Sequence, residues 1–152
     1  MYNARMMEPD KMPGRILAVD WGEKRIGVAI SDETQTLARP YKLIVSGSKK
    51  ENAKKIEKIA YTNKITEIII GVTYDQMGEL SPSGRRAARL AEAIRKMTSS
   101  EVKLYDESGS TKMAKNFKII TGVNRKKRKG HLDAEAAAII LQDYLDRKQD
   151  GR

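Results

Sequence analysis

Hydrophobic and polar positions alternate in recognisable blocks along the chain. Residues 15–20 (RILAVD) and 25–31 (RIGVAIS) are short aliphatic, β-branched runs, and only Trp21, Gly22, Glu23 and Lys24 separate them. That pattern predicts two strands joined as a hairpin. A third β-like run, 41–45, follows Pro40, whose missing N–H suits a strand start or a sheet edge. Over 49–63, Ala53, Ile56, Ile59 and Ala60 recur at helical spacing among lysines and glutamates, which predicts an amphipathic helix. Residues 67–72 (EIIIGV) form a continuous apolar run of strand length, expected for a central strand covered on both faces. Residues 73–84, with Gly78, Pro82 and Gly84, read as a loop; Ala87, Leu90, Ala91, Ile94 and Met97 then mark a second helix. Residues 102–105 give the last strand, 110–120 a short helix, 122–130 a basic loop, and 132–147 a terminal helix with an alanine-rich face.

Three strands, then helix, strand, helix, strand and helix describe an α/β fold with a mixed sheet. Its antiparallel part comes first and its later strands join through helical crossovers. Residues 15–147 are expected to form a single domain, with tails at 1–14 and 148–152. Neither internal repeats nor a linker divides it. No apolar run approaches the roughly 20 residues of a membrane-spanning helix, and the N-terminal stretch lacks the apolar segment of a signal peptide. A soluble, cytoplasmic protein is expected.

Composition narrows the chemistry. The chain has 152 residues, no cysteine and one histidine, His131. Thiol nucleophiles, thiolate metal sites and most imidazole sites are thereby excluded. A metal would have to be held by oxygen ligands, which favours magnesium, manganese or calcium. Thirty lysines and arginines against twenty acids give a formal charge of +10, the balance of a protein that meets a polyanion such as nucleic acid. Solubility alone would also account for it.

Three acidic positions fall at element ends. Asp20 closes the first strand, Asp106 and Glu107 close the last, and Asp133 opens the terminal helix three and four residues before Ala136 and Ala137. Strand side chains alternate between faces, so at most one of Asp106 and Glu107 shares the side of Asp20. Each acid taken singly also reads as a turn residue or a helix cap. Convergence of all three would create repulsion that hard divalent cations relieve, the arrangement used to hydrolyse phosphodiesters.

The strings AVDWGEKRIGVAIS (18–31), ARP (38–40), EIIIGV, VKLYDESGST (102–111) and HLDAEAAAIILQDYL (131–145) together resemble the YqgF family over nearly the whole chain. These are ribonuclease H-like proteins described as Holliday junction resolvases and as nucleases that mature pre-16S ribosomal RNA. The resemblance implies a ribonuclease H-like five-stranded mixed sheet and a nuclease dependent on Mg2+ or Mn2+. It implies Asp20, Glu107 and Asp133 as catalytic, metal-binding acids. Its substrate would be structured RNA, with branched DNA as the alternative and a homodimer suiting a junction cutter. The chain departs from the family at Ser108, where an arginine is usual, and at Gly71-Val72-Thr73, where Gly-Leu-Pro is frequent.

Lys24 and Arg25 beside Asp20, Lys112 on the short helix, and Arg125, Lys126, Lys127, Arg128 and Lys129 before Asp133 are the candidate phosphate contacts. Solvated charge is the plainer reading of any one of them. His131 reads as a helix-entry residue rather than a proton shuttle. Two other functions remain open to the sequence. One is a nucleic-acid-binding module without useful catalysis, which the Ser108 departure allows. The other is an actin-like ATPase, suggested by the Asp-x-Gly turn and opposed by a length that supplies only one of the two domains such a site needs.

Overall fold

In a computed structural model, the described residues are 12–107 and 132–151. Strands β1 (Arg15–Asp20), β2 (Arg25–Ser31) and β3 (Ala38–Val45) are followed by helix α1 (Lys49–Thr62), strand β4 (Ile65–Val72), helix α2 (Pro82–Arg95), strand β5 (Glu101–Asp106) and helix α3 (Leu132–Gln149). The strands form one sheet in the order β3-β2-β1-β4-β5. β1 pairs antiparallel with β2 and parallel with β4; β2–β3 is antiparallel and β4–β5 parallel. This is the mixed five-stranded sheet expected from the sequence. The apolar run in β4 is interior and buried, as its composition required, while the middle position belongs to β1.

Both sheet faces are covered. Leu17, Val19, Ile68, Ile70 and Val72 face α1 and α2, whereas Ile16, Ala18, Ala29 and Ile69 face α3. Alternation along each strand divides the core into these two clusters. Ala137, Ile140, Leu141 and Leu145 form the buried stripe of α3, at helical spacing. The small alanine lets one helix lie close across several strands. Gln142 pins α3 to the sheet edge: its Oε1 accepts from the Ala38 N–H at 2.9 Å, and its Nε2 donates to the Thr36 carbonyl at 3.0 Å.

Boundaries move for local reasons. β3 begins at Ala38 and runs through Pro40, tolerated because β3 is an edge strand and the register shifts between Val28 and Ala29. α2 begins at Pro82, inside the stretch predicted as loop. Ser81 caps it by accepting the Gly84 N–H at 3.0 Å, and proline at the first helical position has no N–H to leave unpaired. Ser48 caps α1 in the same way through the Glu51 N–H at 3.1 Å. The predicted short helix at 110–120, the basic loop at 122–130 and His131 lie outside the described residues. Among the described residues no helix is long and apolar enough to cross a membrane.

Candidate active site

The C-terminal ends of β1, β4 and β5 lie together at one edge of the sheet, a consequence of their parallel pairing. Alternation past Ala18 puts Asp20 on the α3 face, half-buried. At the end of β5, Tyr105 belongs to the α3 cluster, Asp106 pairs level with Val72, and Glu107 returns to the α3 face. Glu107 is therefore the member of the acidic pair that shares the side of Asp20. Its N–H donates to the Val72 carbonyl at 3.0 Å, extending the ladder by one residue.

Glycine makes room for these acids. Gly27 is paired directly across from Asp20, so no side chain flanks the carboxylate from β2. One step beyond the Val19–Ile70 pair puts Asp20 level with Gly71. A Cβ built at Gly71 would sit 2.6 Å from Glu107 Oε2 and 3.1 Å from Ile140 Cδ1. The Glu107 carboxylate thus lies in the gap above Gly71, between its own strand and β1, under α3. Burial raises its affinity for a proton above the ordinary glutamate range, and the Asp106 charge adds to the effect. A carboxylate held against its own ionisation by burial and a neighbouring acid suits a divalent cation. The hairpin turn after Asp20 also depends on glycine, because a Cβ at Gly22 would meet the Arg25 carbonyl oxygen at 2.4 Å.

Helix α3 runs back along the sheet from this edge. Ile140 lies against Gly71, while Tyr144, one turn later, donates to Glu67 near the opposite end of β4. The helix therefore begins at the edge that carries Asp20 and Glu107. Position 133 lies in the first turn of α3, four residues before Ala137; the side chain of Asp133 lies outside the described residues. Among the described residues no group of three or more potential ligands has metal-binding geometry, so the described part of the candidate set is the pair Asp20 and Glu107. Lys24 and Arg25 are exposed on the turn beside Asp20. Lys112, Arg125, Lys126, Lys127, Arg128, Lys129 and Ser108 lie outside the described residues. Gly71 as a cradle for Glu107 was not singled out from sequence; a glycine closing an otherwise continuous apolar strand was its only signal.

The family model described as "RuvX: Holliday junction resolvase" matches residues 14–147. The chain belongs to the RuvX family. The YqgF resemblance is thereby borne out. A relative from Halothermothrix orenii, named "Putative pre-16S rRNA nuclease", is 36% identical over 132 residues, covering 87% of this chain and 94% of its own. A second with the same name, from Bacillus cytotoxicus, is 37% identical over 136 residues, covering 88% and 99%. Among solved structures, Thermus thermophilus RuvC in complex with a Holliday junction substrate aligns with a TM-score of 0.55 at 14% identity, covering 89% of this chain and 95% of that one. The fowlpox virus Holliday junction resolvase aligns at 0.52 with 16% identity, covering 88% and 99%. These two likenesses establish that this RuvX member has the ribonuclease H-like fold of resolvases.

Proposed function

We propose that this protein is a metal-dependent nuclease that hydrolyses phosphodiester bonds in structured RNA, acting at the 5′ end of pre-16S rRNA during ribosome biogenesis in the cytoplasm. One observation carries the reading: Asp20 and Glu107, remote in sequence, stand on the same face and end of the sheet around the gap at Gly71, where α3 also begins. The names of the relatives supply the substrate.

Asp20, Glu107 and Asp133 are the residues that would hold Mg2+ or Mn2+, an all-oxygen donor set matching hard cations. Such an ion supplies Lewis-acid stabilisation of the charge that builds on phosphodiester oxygens. Asp20 sits between Gly27 of β2 and the Gly71 position of β4, so neither neighbouring strand position places a side chain of its own beside the carboxylate. Glu107, fixed by its packing against Gly71 and Ile140, orients its carboxylate without a large rearrangement. Lys24 and Arg25 hold the backbone next to Asp20, and the cations from Arg125 to Lys129, which precede α3 in the sequence, add to the attraction for phosphate. Hydrogen bonds to phosphate position a strand and carry no base specificity.

Cleavage of branched DNA is the second reading, favoured by the description of the family model. Both are tested by incubating the wild type and Asp20→Asn with a pre-16S rRNA fragment and with a four-way DNA junction, each with and without magnesium or manganese. The expected result is metal-dependent cleavage of the RNA by the wild type and a loss of more than about a hundredfold in the variant, exceeding what removal of an outer partner of a metal ligand costs. Equal cleavage by the two proteins would remove the assignment, and cleavage of the junction alone would make the protein a resolvase. Salt-sensitive binding without cleavage would make it a binding module.

A further inference from the structure

On the opposite face of the sheet from Glu107, at the same edge, a cavity of about 410 Å3 opens between the turn after β1 and the first turns of α1 and α2. Its size lies within the range of about 300 to 1,000 Å3 of small-ligand sites. Trp21, Glu23, Lys49, Asn52, Arg86 and Arg89 line it. Three cations face one acid there. Among the described residues, none of Lys49, Arg86 and Arg89 forms an ion pair.

The arrangement is built from both its rim and its floor. Asn52, 3% exposed, uses its amide to fix the rim: Oδ1 accepts from the Gly47 N–H at 2.9 Å, and Nδ2 donates to Ser46 Oγ at 3.2 Å and to the Gly47 carbonyl at 3.3 Å. Trp21 packs against the main core, and the Arg86 guanidinium lies 5.7 Å from the centre of its ring. A cation layered on an aromatic ring, with two further cations beside it, offers a stacking surface for a planar group and hydrogen-bond donors for a phosphate. A nucleotide carries both. Bases inside a duplex are stacked and paired, so a recessed site of this kind selects an unpaired one. Trp21 directly follows Asp20 and faces the other way, so a single strand crossing the sheet edge reaches the acid on one side and the cavity on the other.

We propose that this cavity receives an unpaired nucleotide of the substrate strand next to the scissile phosphate. Arg86, Arg89 and Lys49 hold its phosphate, and its base lies against the Trp21–Arg86 layer. The proposal rests on the nuclease reading for its substrate class, but its test requires no catalysis.

Trp21 is the only tryptophan in the chain, so its intrinsic fluorescence reports on this site. The full chain is titrated in excess chelator with a short single-stranded oligoribonucleotide and, separately, with the blunt duplex of the same sequence. A saturable fluorescence change is expected with the single strand, with the duplex at least about tenfold weaker. Arg86→Gln/Arg89→Gln should weaken single-strand binding by about tenfold or more, and Lys58→Gln, exposed on α1 and outside the cavity lining, should leave the response in place. Both arginines are exposed on α2, so circular dichroism should match the wild type. Lys49→Gln, on a different helix, should weaken binding independently. An absent response, undiminished binding by the folded arginine variant, or an equal response to duplex would overturn the proposal, the last in favour of a surface that reads helical backbone. A protein that cleaves RNA without any Trp21 response loses only the cavity assignment. One that responds but never cleaves keeps it and loses the nuclease.

Discussion

Glu107 shows what a single position contributes at the cost of stability. Its folded-state proton affinity is raised above the ordinary glutamate value, first by burial and then by Asp106. A raised value means that the favourable contribution is complete below the ordinary range and is lost as pH rises through the folded-state value. Once pH has risen through that value, burial of the charge therefore opposes folding of the metal-free protein. Glu107→Gln should melt no lower than the wild type at pH 7 in chelator, and the difference should disappear below about pH 4, where both side chains are neutral. Cleavage should meanwhile fall by more than about a hundredfold. Thermal melts at the two pH values beside a cleavage assay check this, and a variant equally destabilised at both would show that Glu107 is a packing residue. The acids at 20, 107 and 133 stood out in the sequence because polar groups closing apolar runs are costly without partners. Strand alternation alone left open which of Asp106 and Glu107 turns inward, and only the family resemblance named Glu107; the physical reason lies in where β5 ends and in the space left by Gly71.

Among the elements, α3 has the most to coordinate, because its first turn must lie at the acidic edge while its last turns rest at the far end of the sheet. Glu67, 6% exposed near the start of β4, anchors that far end. It accepts from the Tyr144 hydroxyl and has Lys148 Nζ at 3.5 Å and Lys103 Nζ at 3.8 Å. Tyr144→Phe removes the uncharged donor and leaves a buried carboxylate less well satisfied. A loss of about 1 to 3 kcal/mol in urea denaturation is expected, and an unchanged midpoint would mean that the lysines suffice. The periodicity of α1, α2 and α3 was readable because a buried stripe repeats every third or fourth residue. The start of β3 was not, since Pro40 in isolation suits the start of a strand, and its place inside one depends on an edge position and on the register shift that leaves Tyr41 of β3 unmatched beside it.

Across the whole molecule, the parallel strands and all three described helices are oriented alike with respect to one edge. β1, β3, β4 and β5 end there, and α1, α2 and α3 begin there. Helix N-termini carry partial positive charge, which adds to a net charge of +10 in favouring a polyanion at that edge. Binding of a single strand should therefore weaken with salt, with a log-log slope of about −0.7 for each phosphate contacted. Lys24→Gln/Arg25→Gln should reduce the slope's magnitude by about 1.4, two such contacts, in a titration across chloride concentrations. An unchanged slope would take both residues off the strand's path.

The order of elements, the basic character, the absence of sulfur chemistry and the three acidic positions all follow from the linear sequence, because periodicity, composition and the ends of apolar runs are local properties. Strand order and face are not local. Only the sheet could put Asp20 between Gly27 and Gly71, bring Glu107 over the same gap, and set Trp21 against Arg86 from a helix more than sixty residues away. Residues distant along the chain become neighbours through pairing register and packing, which no single segment encodes.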